Sequence, residues 1–81
     1  MKEATYTVLA TNGKEYKWTF TENLPTEQDY GNGIYIAIEH PNGEYTYMDC
    51  RYARKYDFDL MCVDFLVEYY GANLDELSRD D

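Results

Sequence analysis

Basic residues are scarce in this chain. Seven lysines and arginines stand against sixteen aspartates and glutamates among 81 residues, a net charge of −9 with the one histidine neutral. A surface so negative repels polyanions, which argues against nucleic acid or an anionic membrane as a direct partner. Long apolar runs are missing too: none approaches the roughly 18 residues of a membrane span. Met1-Lys2-Glu3-Ala4 lacks the apolar stretch of a signal peptide, so a cytoplasmic address is expected. Only two cysteines occur, Cys50 and Cys62, where a small secreted domain leans on several disulfides; both read as free, buried thiols. Together with His40 they match no common zinc-ligand spacing, so no metal is expected.

Signatures of catalysis are also absent. There is no G-x-S-x-G, glycine-rich phosphate loop or H-E-x-x-H, and Gly31-Asn32-Gly33 is far short of a dinucleotide fingerprint. Carboxylate pairs such as Asp57/Asp59 and Glu27/Asp29 suit acid–base work, but sixteen acids in so short a chain make such pairs inevitable by chance. The expectation is a protein that is not an enzyme and takes no cofactor.

What the chain does have is aromatic bulk. Ten tyrosines bring the aromatic content to 17%, more than a disordered acidic chain carries, so one folded domain over residues 1–81 is expected. Residues 4–10 and 15–21 are rich in β-branched and aromatic side chains and flank Asn12-Gly13; residues 34–40 and 44–50 repeat the arrangement around Asn42-Gly43. Two hairpins follow, 4–21 and 34–50. Pro41 cannot donate across a two-residue turn, so a three-residue loop, Pro41-Asn42-Gly43, is required there. That loop pairs Ile38 with Thr46, Ile36 with Met48 and Ile34 with Cys50. The equivalent loop Thr11-Asn12-Gly13 pairs Val8 with Tyr16, Tyr6 with Trp18 and Ala4 with Phe20. Residues 22–33 join the hairpins and read as a long solvated connector carrying Glu22, Glu27 and Asp29.

The period then changes. Phe58, Met61, Cys62, Phe65, Leu66 and Tyr69 form a helical apolar stripe within residues 57–70, with Asp57 as N-cap and Gly71 as the stop. Asn73 with Glu76 three residues on suggests a second, short helix over 74–79, tacked down by Leu74 and Leu77, with Arg79-Asp80-Asp81 frayed. The fold class expected is α+β in two layers: a four-stranded antiparallel sheet of two hairpins, one C-terminal helix packed on one face, and a short terminal helix. The strand order stays open. Tyr6, Val8, Trp18, Phe20, Ile34, Ile36, Ile38 and Met48 would face the helix.

The face left uncovered places Tyr35 beside Asp49, Ala37 beside Tyr47 and Glu39 beside Tyr45. Tyrosine supplies apolar bulk with a polar tip, and rings among carboxylates suit arginine through cation–π stacking and bidentate bonds. Asp57, Asp64 and Glu68 recur along one solvent side of the helix, at spacings close to those of phosphates along a nucleic-acid strand. The candidate partner-binding residues are therefore Tyr35, Glu39, Tyr45, Tyr47 and Asp49 on the sheet, Glu27 and Asp29 in the connector, and Asp57, Asp64 and Glu68 on the helix. Arg51-Tyr52-Ala53-Arg54-Lys55 is the one basic cluster.

In size, charge and aromatic content the chain resembles the small acidic anti-defence proteins of phages and mobile elements, the anti-CRISPR and DNA-mimic antirestriction proteins. The resemblance implies an inhibitor that occupies the nucleic-acid site of a basic partner protein, a host defence nuclease complex among the possibilities. A small adaptor or assembly domain, homodimeric through the uncovered face, is the alternative reading.

Overall fold

The computed structural model describes residues 2–23, 33–51 and 53–80. Five strands form one antiparallel sheet: β1 (Glu3–Leu9), β2 (Glu15–Asn23), β3 (Tyr35–Glu39), β4 (Tyr45–Asp49) and β5 (Leu77–Asp80). Their order is β4-β3-β2-β1-β5. Both hairpin turns are three residues long, closed by Gly13 N–H on Ala10 C=O and Gly43 N–H on His40 C=O, each at 2.9 Å. The two glycines sit at φ of 84° and 89°, where an L side chain is strained. The asparagine before each glycine completes the loop, accepting from the Lys14 and Glu44 N–H groups at 2.9 and 3.0 Å.

These loops set the pairing. Ala4, Tyr6 and Val8 lie opposite Phe20, Trp18 and Tyr16, and Ile36 and Ile38 opposite Met48 and Thr46. Alternation then sends Tyr6, Val8, Trp18, Phe20, Ile36 and Ile38 to one buried face. The helix α1 (Phe58–Asp64) lies on it, capped by the Asp57 carboxylate accepting from Leu60 N–H at 3.1 Å. Phe58 and Cys62 of α1, with Phe65 and Leu66 of the helical turns that follow it, are buried against the sheet. Aromatic rings join the layers edge to face, Phe65 meeting Phe20 at 6.0 Å and Trp18 at 5.9 Å between centroids, while within the sheet Tyr6 meets Phe20 at 5.7 Å. Among the described residues, no helix is long and apolar enough to cross a membrane.

Three expectations are corrected. The sheet has five strands, and no short helix spans 74–79: a single 3-10 turn, Leu74–Glu76, leads into β5 beside β1. The Asn73 side chain bonds the Glu76 carboxylate at 2.7 Å and caps no backbone N–H, so the capping-box signal does not nucleate a helix. The free edge of β1 competes for the same residues and wins. Strand pairing supplies partners for that edge, and Leu77 comes to lie opposite Val8. Leu74 is left exposed. The expected fraying is also displaced, since Arg79 pairs with Asp59, and Asp80 with Lys17 and Thr7.

Second, Glu22 is no solvated connector residue. β2 runs through it to Asn23, and Glu22 sits buried opposite Ile36, its carboxylate accepting from the Tyr56 hydroxyl at 2.6 Å. Burial, and next that carboxylate, push the Tyr56 phenol well above its ordinary range.

Third, Tyr69 leaves the stripe. The helix continues over Phe65–Tyr70 as a π-helix, and its last bond runs from Gly71 N–H to Leu66 C=O, five residues back. The wider turn advances each residue by less than the α-helical angle. Tyr70 therefore reaches Trp18, at 4.6 Å, while Tyr69 is 79% exposed and stacks on Phe65 at 5.7 Å.

Candidate functional site

The uncovered sheet face displays the tyrosines in the expected register, Tyr35 opposite Asp49, Ala37 opposite Tyr47 and Glu39 opposite Tyr45. Within that face the carboxylates and rings divide into two sets. Arg51 grips Asp49 through Nε, at 3.0 and 3.1 Å, and Nη2, at 2.8 Å, and its guanidinium lies 5.1 Å from the Tyr35 ring centroid. The Asp49 carboxyl is held below its usual range by the Arg51 side-chain bonds first and the Arg51 N–H next. Tyr35 and Asp49 thus already embrace a guanidinium of their own chain.

Tyr45 and Tyr47 are in the other set. Both are exposed, and their rings stack at 6.4 Å and 20°. Glu39, opposite Tyr45, forms no ion pair among the described residues. At the far end of this face the Lys17 ammonium is taken up by Asp80 and bonds Thr7 at 3.2 Å. That bond to Lys17, then the Thr7 hydroxyl, holds the Asp80 carboxyl below its ordinary value.

A second feature was not legible in the sequence. Between β4 and the helix runs a groove of two adjoining recesses, about 290 and 340 Å³, which share Met48, Asp49, Phe65 and Tyr69. Thr46 and Tyr47 extend it at one end, and Met61, Asp64 and Glu68 at the other. Its floor is apolar and aromatic. Its helical rim is acidic, with no ion pair on Asp64 or Glu68 among the described residues. One recess holds Asp49 with Asp64 and Glu68, the other Asp49 with Tyr47, and Tyr45 stacks on Tyr47 beside it. Asp57 is engaged as the helix cap, and Glu27 and Asp29 lie outside the described residues. Of its floor residues, Phe65 is in the core as expected and Met48 packs against it, while Tyr69, expected on the buried stripe, is exposed. Only the Tyr69-Tyr70-Gly71 run, two polar-tipped rings before a helix stop, hinted that one ring would stay outside.

The groups with catalytic or metal-binding chemistry are committed elsewhere. His40 Nε2 lies 2.6 Å from the Thr46 hydroxyl, and its ring packs 4.7 Å from Trp18. Cys50 and Cys62 are free and buried. Burial raises both thiols, Cys62 to about 12, far from a nucleophilic thiolate at neutral pH. Among the described residues no three His, Cys, Asp or Glu side chains are grouped to hold a metal ion. No family model matches the chain, and no curated protein or solved structure matches it.

Proposed function

We propose that this chain is a non-catalytic binding protein that occupies the cationic nucleic-acid-binding site of a partner protein, an inhibitor of the anti-CRISPR or DNA-mimic type. The observation that carries the reading is the groove beside β4, where Asp64 and Glu68, without counter-ions among the described residues, stand beside exposed Tyr69, with exposed Tyr45 and Tyr47 on the other face of the same strand. Aromatic rings supply buried area at modest entropic loss, and carboxylates steer a cationic surface toward them. The Arg51 arrangement on Tyr35 and Asp49 supports the same chemistry, since it is the contact an incoming arginine would make.

The test is a capture at low salt followed by competition. The partner is isolated from lysate at 50 mM salt, and its affinity for nucleic acid is measured with and without this chain. Displacement of nucleic acid, weakening steeply toward 500 mM salt as exposed charges are screened, is the expected result. A complex that leaves nucleic-acid binding intact overturns the inhibitor reading.

The adaptor alternative draws on one observation, the stacked and exposed Tyr45 and Tyr47. Light scattering separates the two: a stable dimer that buries these rings supports the adaptor, and a monomer supports the inhibitor.

A further inference from the structure

Strand β4 is an edge of the sheet, and the phase of its ladder decides which backbone groups it leaves open. His40 N–H donates to Glu44 C=O at 2.8 Å, and Cys50 N–H donates to Ile34 C=O at 2.9 Å. Antiparallel pairs that exchange bonds recur every second residue, so the even-numbered residues of β4 bond to β3. The N–H and C=O groups of Tyr45, Tyr47 and Asp49 therefore point away from the sheet, and no described element pairs with them.

Natural edges are blunted by lysine, proline, bulges or very short strands. The opposite edge follows that rule: β5 is four residues long, with Arg79 and Asp80 held in ion pairs. Tyr45-Thr46-Tyr47-Met48-Asp49 carries neither lysine nor proline. We infer that a partner's extended, arginine-bearing segment adds to the β4 edge as a sixth strand, its alternate side chains entering the groove between β4 and the helix. The inference rests on the binding reading above and specifies its geometry.

The pleat makes the two features one site. A strand added about 4.8 Å beyond β4 alternates its side chains between the two faces of the sheet. Those on the helix side meet Met48, Phe65 and Tyr69 and reach the rim at Asp64 and Glu68. Those on the other side run past Tyr45 and Tyr47. Both faces offer rings, and the helix side adds carboxylates without an ion pair among the described residues.

Charge selects the occupant. A second copy would set one −9 surface against another and bring carboxylates to Asp64 and Glu68, whereas guanidinium groups satisfy them. Arginine suits the site better than lysine because its planar group stacks on tyrosine while bonding a carboxylate with two N–H groups, as Arg51 does on Tyr35 and Asp49.

The probe is a blocked peptide of alternating valine and arginine, about seven residues long to span the edge at roughly 3.4 Å per residue. Its control carries the same side chains with N-methyl groups on alternate amides, which removes the donors of one edge. Amide hydrogen exchange of the intact protein is followed with each, and affinity is read by fluorescence anisotropy. Strand addition slows exchange at Tyr45, Tyr47 and Asp49 at least tenfold and leaves the N-methyl peptide at least tenfold weaker. Glu68→Gln and Asp64→Asn, both at exposed positions, each weaken the parent peptide about two- to five-fold. Equal binding of both peptides without protection of β4 overturns the strand geometry while leaving an acidic docking surface in place. Failure of both peptides to bind, alongside a partner that is still displaced from nucleic acid, overturns this inference alone. Protection of β4 that rises with protein concentration and needs no peptide identifies a second copy as the occupant and overturns it too.

Discussion

Replacing Tyr56 by phenylalanine removes a single oxygen and tests how the segment before the helix is fastened to the sheet. The Tyr56 ring packs against the core while its hydroxyl donates to Glu22 Oε2 at 2.6 Å. Glu22 is 8% exposed, so water has little access to the carboxylate once the hydroxyl is gone. Hydrogen bonds to charged groups contribute about 1.5–3 kcal/mol, and stranding a buried acceptor carries the full desolvation penalty. Tyr56→Phe is therefore expected to lower stability by about 2 kcal/mol in urea unfolding with an unchanged slope. For a domain of this size that is a fall in Tm of roughly 8–16 °C. The double variant Tyr56→Phe with Glu22→Leu removes both partners together and is expected to recover most of the loss. A Tyr56→Phe protein within about 0.5 kcal/mol of the parent would show that the bond is exchanged for water without consequence, and the reasoning would fail.

Three further outcomes follow from particular residues. Gly71 ends the helix at φ of 89°, and a Cβ added there meets nothing within 4 Å, so Gly71→Ala carries backbone strain alone, about 1–2 kcal/mol in thermal unfolding. Asp80 has its carboxyl depressed by Lys17 and Thr7, so the stability it lends to β5 is present at neutral pH and is lost as pH falls through the depressed folded value, in acid below the ordinary aspartate range. Exchange of the β5 amides should accelerate over that range, and an Asp80→Asn protein should show no such acid step. Cys50 and Cys62 are buried with raised thiols, so Ellman's reagent at pH 8 should label neither until urea is added; prompt labelling of the native chain would contradict the packing.

Much of the architecture lies in local chemistry. Pro41 excludes a two-residue turn, Asn12-Gly13 and Asn42-Gly43 supply the left-handed corner, and these few residues determine the register of both hairpins before any tertiary contact is considered. Register in turn decides which side chains share a face, so the partners of Tyr35, Tyr45 and Tyr47 are legible from the chain. Asp57 and Gly71 likewise mark the ends of the helix by their own capping preferences.

The groove beside β4 required contacts that no local pattern encodes. Residues 77–80 become a strand because β1 presents an unpaired edge to them, a demand made by distant residues. Glu22 is buried because Tyr56, far along the chain, arrives to satisfy it. Tyr69 is exposed because the helix widens after Asp64, a choice between two hydrogen-bond ladders that differ by one residue and are separated by packing against Trp18 and Phe20. Turns and caps depend on residues a few positions apart and are determined by sequence alone. Edges, buried charges and helical phase depend on free energies shared between remote segments, and only the assembled fold decides them.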